Sequence, residues 1–193
     1  PSLSEMTSFA IDNLSARNTG YVLMVEAGRI DHAHHGTNAY RALKDLQALD
    51  TAVAAAVAKA GDDTLIMVTA DHSHVFTMAG YPVRGNPILG LVRQVDRETG
   101  EPGDYTLDEG GQPYTTLGYH NGPEMREAES DTLTDNIVQA ENYRQQTAVG
   151  LNTETHAGED VPFYATGPGA DAFRGVMEQN RIGEIMGDYL AGN

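Results

Sequence analysis

The sequence predicts an α/β fold, on three observations. Two short apolar runs, "GYVLMVE" at residues 20–26 and "TLIMVTADH" at residues 64–72, have the length and flanking residues of buried strands. Between them, residues 37–60 carry apolar side chains at helical spacing. Strand, helix and strand in that order imply a right-handed crossover and a parallel sheet.

The elements follow in chain order. Ser2 and Glu5 form an S-x-x-E capping box ahead of Met6, Phe9, Ala10 and Leu14, which predicts a helix from the N-terminus to about residues 13–16. The first strand follows at 20–26. Leu43, Leu46, Leu49, Val53, Val57 and Ala60 mark one face of a long amphipathic helix that Gly61 closes. The second strand ends in Asp71 and His72. Gly and Pro then punctuate residues 80–141, with twelve carboxylates against Arg97 and Arg126 from Asp96 onward. This reads as an inserted excursion with one strand at "PYTTLGY", residues 113–119. "VPFYATG" at 161–167 is a third short strand, and Ile182, Ile185, Met186 and Tyr189 share one side of a helix near 178–190.

A chain of 193 residues is long enough for one ordinary domain and short for two. Its net charge of -16 repels a phosphate backbone, so nucleic acid is excluded as a natural partner. An anionic protein still acts on an anionic substrate when bound cations reverse the local field. With no cysteine, any zinc must be held by histidine and carboxylate. No apolar run approaches the roughly 20 residues of a membrane span, and the first residues lack the pattern of a signal peptide.

The chemistry concentrates in "VEAGRIDHAHHG", residues 25–36, and in "ADHSH", residues 70–74, both just after a predicted strand, where open α/β sheets place their ligand sites. Asp31 and His35 are four apart and share a face if a helix begins near Ile30. His32 and His34 then point elsewhere. His156, in "ETHAGEDVP", stands before the third strand, and with Asp31 and His35 it makes a nitrogen and oxygen set for zinc with an open position. Asp71 and His72 supply half of a second zinc site. Glu26 brings only carboxylate oxygen, which suits magnesium. His74 reads as a supporting or packing residue and His120 as a loop residue. Taken singly, each His or Asp is more simply a surface or capping residue. Against that, six of the seven histidines fall in three short segments at strand ends.

The stretches "EAGRIDHAHHGTNAYRAL", "DTLIMVTADHSHVFTMAGYPVRGNPILG" and "YRQQTAVGLNTETHAGEDV" together resemble the alkaline phosphatases, in the branch that includes the vertebrate enzymes. The resemblance runs through most of residues 20–190. It implies a three-layer αβα sandwich of which residues 1–193 form the C-terminal half, with residues 84–143 as a crown-like surface insert. It implies hydrolysis of phosphate monoesters through a phosphoserine intermediate, two zinc ions and one magnesium ion per full-length subunit, and release of inorganic phosphate. Asp31, His35 and His156 fall on the family's first zinc, Asp71 and His72 on its second, and Glu26 on a magnesium ligand. His32 falls beside the substrate phosphate. Family habit further implies a homodimer in the periplasm, at the cell surface or outside the cell.

The family's nucleophile is a serine in an Asp-Ser-Ala type motif, and no such motif occurs here. Ser2, Ser4, Ser8, Ser15, Ser73 and Ser130 all lack that context. The arginine that clamps phosphate and the remaining magnesium ligands have no counterpart either. The chain is therefore expected to be inactive alone, because nucleophile and metal site act as a unit. Two alternatives stand beside this reading: a metal-binding half-domain without catalysis, and a related phosphodiesterase, mutase or sulfatase of the same superfamily.

Overall fold

A computed structural model describes residues 1–17, 19–125 and 132–192, so Arg126 and Ser130 lie outside the described residues. The architecture is α/β, helices alternating with short strands that form small sheets. The chain divides into two compact units: Pro1–Val25, Ala48–Asp71 and Asp160–Asn193 form the first, Glu26–Gln47 and His72–Glu159 the second.

In the first unit, helix α1 (Leu3–Ser15) begins where the sequence predicts. The Ser2 hydroxyl accepts from the Glu5 backbone N–H at 3.2 Å, and the Glu5 carboxylate accepts from the Ser2 N–H at 2.7 Å, satisfying two donors that a helix start leaves open. Ile11 is buried and Lys59 meets Asp12 at 2.6 Å. Strand β1 (Ile66–Thr69) pairs antiparallel with strand β9 (Phe163–Thr166), Ile66 opposite Thr166. The turn after β9 needs Gly167, whose φ is +97° and where an added Cβ would sit 2.1 Å from the Thr64 carbonyl oxygen. Helix α5 (Asn180–Ala191) closes the unit, capped by Gly192 in the left-handed region.

The run at residues 20–26 corrects one expectation, because it does not form a strand. Its exposure alternates, with Val22 and Met24 open to solvent. A strand exists only where a neighbour takes its N–H and C=O groups, and among the described residues none pairs with it. The parallel crossover that depended on it is therefore not formed. β1 instead takes an antiparallel partner from the far end of the chain.

In the second unit, helix α2 (Arg29–His35) is bracketed by Gly28 and Gly36. Helix α3 (Ala39–Lys59), whose residues from Ala48 onward belong to the first unit, starts at Asn38, whose side-chain oxygen accepts from the Arg41 N–H at 2.9 Å. Thr37 is fully buried with φ +52°, and its carbonyl oxygen accepts from the Gln145 N–H at 2.8 Å, while the Gln145 side-chain oxygen accepts from the Ala39 N–H at 2.7 Å. These bonds fix the chain between α2 and α3. Strand β2 (Ser73–His74) pairs antiparallel with β8 (His156–Ala157). Strands β3 (Phe76–Met78), β6 (Leu117–Gly122) and β7 (Thr147–Gly150) form a sheet in the order β3-β6-β7, antiparallel then parallel. Strands β4 (Arg93–Val95) and β5 (Pro102–Tyr105) pair across an irregular register, and the short helix α4 (Asp135–Val138) follows. The core here is Ala33, Ala39, Ala42, Val83, Leu91, Val92, Leu117, Tyr119 and Val138. The strand expected at 113–119 runs at 117–122, and Pro113 and Thr115 make single bridges only. His120 consequently lies in β6 rather than in a loop, its N–H bonded to the Val75 carbonyl at 2.9 Å.

Candidate metal centre

Two local periodicities bring the site together. On α2, four residues separate Asp31 from His35, and one helical turn places His35 Nε2 3.3 Å from Asp31 Oδ1. His72, just ahead of β2, and His74, on it, are two apart, and in an extended chain such residues share a side, with Ser73 on the other. The β2–β8 register sets His74 directly opposite His156, so these side chains share that side too.

The result is a carboxylate oxygen ringed by imidazole nitrogens. Asp31 Oδ1 lies 3.1 Å from His74 Nε2, 3.3 Å from His35 Nε2, 3.4 Å from His156 Nε2 and 3.9 Å from His72 Nε2. The His72 and His156 rings stack with centroids 3.5 Å apart. Asp31 Oδ1 and His74 Nε2 are both buried, and neither makes a hydrogen bond of acceptable geometry. Buried polar atoms left this way are costly unless a cation completes them.

The donor set fits such an ion. Asp31 Oδ1, His35 Nε2 and His156 Nε2 form a nearly equilateral triangle with sides of 3.3, 3.4 and 3.2 Å. Tetrahedral zinc with bonds of about 2.0–2.1 Å to nitrogen and oxygen spaces neighbouring ligand atoms by roughly 3.3 Å. Nitrogen and carboxylate oxygen without thiolate are donors zinc accepts.

The surroundings hold these rings in place. His35 Nδ1 bonds the Glu154 carbonyl oxygen at 2.7 Å, and His74 Nδ1 bonds the Glu154 carboxylate at 2.7 Å. Glu154 is fully buried, and its second oxygen accepts from the Val75 N–H at 2.8 Å. His34 stacks on His74 with centroids 4.6 Å apart and bonds the Tyr119 hydroxyl at 2.8 Å. Burial pushes the His34 ring down to about 4, with His74 adding to the effect and Asp31 opposing it. Burial pushes the Tyr119 hydroxyl up, and the Glu154 carboxylate adds to that.

The structure thus gathers Asp31, His35, His72 and His156 from the residues singled out in the sequence. It adds His74, which sits at the middle of the cluster, and Glu154. Donor atoms of Asp31, His72, His74 and His156 lie within 4.8 Å of one another, as do those of His35, His74 and Glu154. The remaining candidates stand in neither set. His32 is exposed on α2. Glu26 is exposed ahead of α2, its carboxylate reaching back over Gly28. Asp71 is exposed, and its backbone carbonyl accepts from the Gln179 side chain at 3.1 Å. The period of two between His72 and His74 was the available signal for His74. Nothing local marks Glu154, since its role comes from residues about 80 and 119 positions away.

A family model described as alkaline phosphatase matches residues 1–191. The chain is 44% identical over 191 residues to the tissue-nonspecific alkaline phosphatase of Felis catus and 45% identical over 194 residues to that of Gallus gallus. It is 41% identical over 191 residues to that of Homo sapiens. In each case the alignment covers 96% of this chain and 34% of the relative, so the chain spans about a third of the length of these proteins. With a match along nearly its whole length, the chain belongs to the alkaline phosphatase family.

Proposed function

We propose that this chain supplies most of the zinc-binding side chains of a metal-dependent phosphatase that hydrolyses phosphate monoesters through a phosphoserine intermediate. The observation that carries the reading is the triangle of Asp31 Oδ1, His35 Nε2 and His156 Nε2, with sides of 3.2–3.4 Å. In it Asp31, His35 and His156 hold the first zinc, Asp71 and His72 contribute to the second, and Glu26 is a magnesium ligand. His32 lies beside the substrate phosphate. Two bound zinc ions would stabilise the attacking and leaving oxygens of a displacement at phosphorus.

The chain's own residues then have separable tasks. Asp31 brings negative charge that offsets the cation's, while the imidazoles bring neutral donors, so the centre keeps a net positive charge able to attract a phosphate despite the chain's overall -16. The Nδ1 bonds of His35 and His74 leave their Nε2 atoms directed at the cluster. The nucleophilic serine and the phosphate-clamping arginine come from outside these residues, which carry no Asp-Ser-Ala motif. Residues 84–143 form the crown-like surface insert in this reading, and the full protein is a homodimer that works at the cell surface, in the periplasm or outside the cell. No helix among the described residues is long and apolar enough to cross a membrane.

Zinc content and p-nitrophenyl phosphate hydrolysis, measured on this chain and on a longer protein that adds an upstream Asp-Ser-Ala segment, test the proposal together. Zinc in both and turnover only in the longer protein is the expected outcome. Strong turnover by the 193-residue chain alone would show that the nucleophile has been misplaced.

A further inference from the structure

We propose that Glu154 is a positioning residue that orients two rings of the donor cluster at once, His35 through its backbone and His74 through its carboxylate. The inference rests on the metal-site reading above and concerns a residue which that reading does not use.

Glu154 is fully buried, which for a carboxylate demands a partner for each oxygen. Both are supplied. Oε1 accepts from the Val75 N–H at 2.8 Å, and Oε2 meets His74 Nδ1 at 2.7 Å. A carboxylate only accepts, so the hydrogen of that second bond is carried by Nδ1 and the His74 ring is held with Nε2 toward Asp31 Oδ1, 3.1 Å away. The same residue's carbonyl oxygen takes the Nδ1 hydrogen of His35 at 2.7 Å, and its N–H donates to the His35 carbonyl at 3.1 Å. His35 Nε2 is thereby turned to the cluster, 3.3 Å from Asp31 Oδ1. One buried residue fixes the rotation of one ring by its side chain and of another by its backbone.

The distances separate this role from that of a ligand. Two donors that share a zinc ion stand roughly 3.3 Å apart. The Glu154 to His74 contact, at 2.7 Å, is a charge-assisted hydrogen bond instead. Its other oxygen accepts from the Val75 N–H. His34, stacked on the far side of His74, keeps that ring from swinging away.

The test uses the full-length protein that carries this chain, with Zn2+ alone as the probe, titrated against a competing chelator, and backbone circular dichroism as the control for folding. Glu154→Gln keeps the volume and the Val75 bond but weakens the hold on His74. It is expected to lower zinc affinity by about 10- to 100-fold. His74→Gln, which removes the ring that the Glu154 carboxylate holds, should cause a similar loss, and the double variant should lose little more than either single one. If Glu154→Gln does not fold, His74→Gln alone carries the test. Wild-type zinc affinity in a folded Glu154→Gln or His74→Gln protein overturns the proposal. A wild-type protein that holds no zinc would instead overturn the metal-site reading on which it rests.

Discussion

At the scale of single residues, the centre is organised around one oxygen. Asp31 Oδ1 has imidazole nitrogens at 3.1–3.9 Å and no hydrogen bond, so its negative charge is uncompensated unless a cation joins it. Asp31→Asn keeps the shape and removes the charge. It is expected to reduce zinc affinity by more than the roughly 10- to 100-fold expected for an orienting partner, because a direct donor is lost. Competition titration measures this, and unchanged affinity in the variant would exclude Asp31 as a ligand. His34 shows the opposite kind of role. Burial and the nearby His74 hold it neutral at ordinary pH, so it packs and bonds Tyr119 without adding charge beside the cluster.

At the scale of elements, a ladder of only Ser73–His74 against His156–Ala157 is what places His156 beside His74, so one register decides the site. Strands β4 and β5 and helix α4 have their own organising group. Asp135, at the start of α4, accepts from the Tyr105 hydroxyl of β5 at 2.9 Å, from Arg93 of β4 at 3.4 Å and from the Leu91 N–H at 3.2 Å. Burial pushes the Asp135 carboxyl up, but these bonds outweigh it and hold it below the ordinary carboxylate value. The sign follows from linkage. A carboxyl depressed in the folded state contributes stability that is fully present above its unfolded pKa of about 3.9 and is lost as pH falls through the lower folded value. Urea midpoints of wild type and Asp135→Asn between about pH 5 and pH 2 should therefore converge on the acid side, the wild type being more stable only above that window. Parallel curves across the whole range would show that the Asp135 charge does not hold β4, β5 and α4 together.

At the scale of the whole molecule, a chain with net charge -16 and a cluster of buried donors is expected to gain stability from added cations. Zinc at about 100 times its dissociation constant should stabilise the folded state by about 2.7 kcal/mol. For a chain of this size that corresponds to a rise in melting temperature of roughly 5–10 °C. Thermal unfolding after chelation, and again after zinc is restored, measures it. A melting temperature indifferent to zinc would argue against a site that is built in the folded state.

The sequence by itself determined the three long helices α1, α3 and α5, through the Ser2–Glu5 capping box, the apolar spacing from Leu43 to Val57 and from Ile182 to Tyr189, and the closing Gly61. It also determined the Asp31–His35 pair, and the family through motifs of several residues in order. These rest on contacts within a turn or two, which local spacing reports directly. Only the tertiary structure decided that residues 20–26 have no strand partner among the described residues, that β1 pairs with β9, and that His74 and Glu154 belong to the centre. Strand pairing and a buried carboxylate's partners join positions tens of residues apart. No local pattern encodes such a pairing, because its free energy arises only when both segments are already in place.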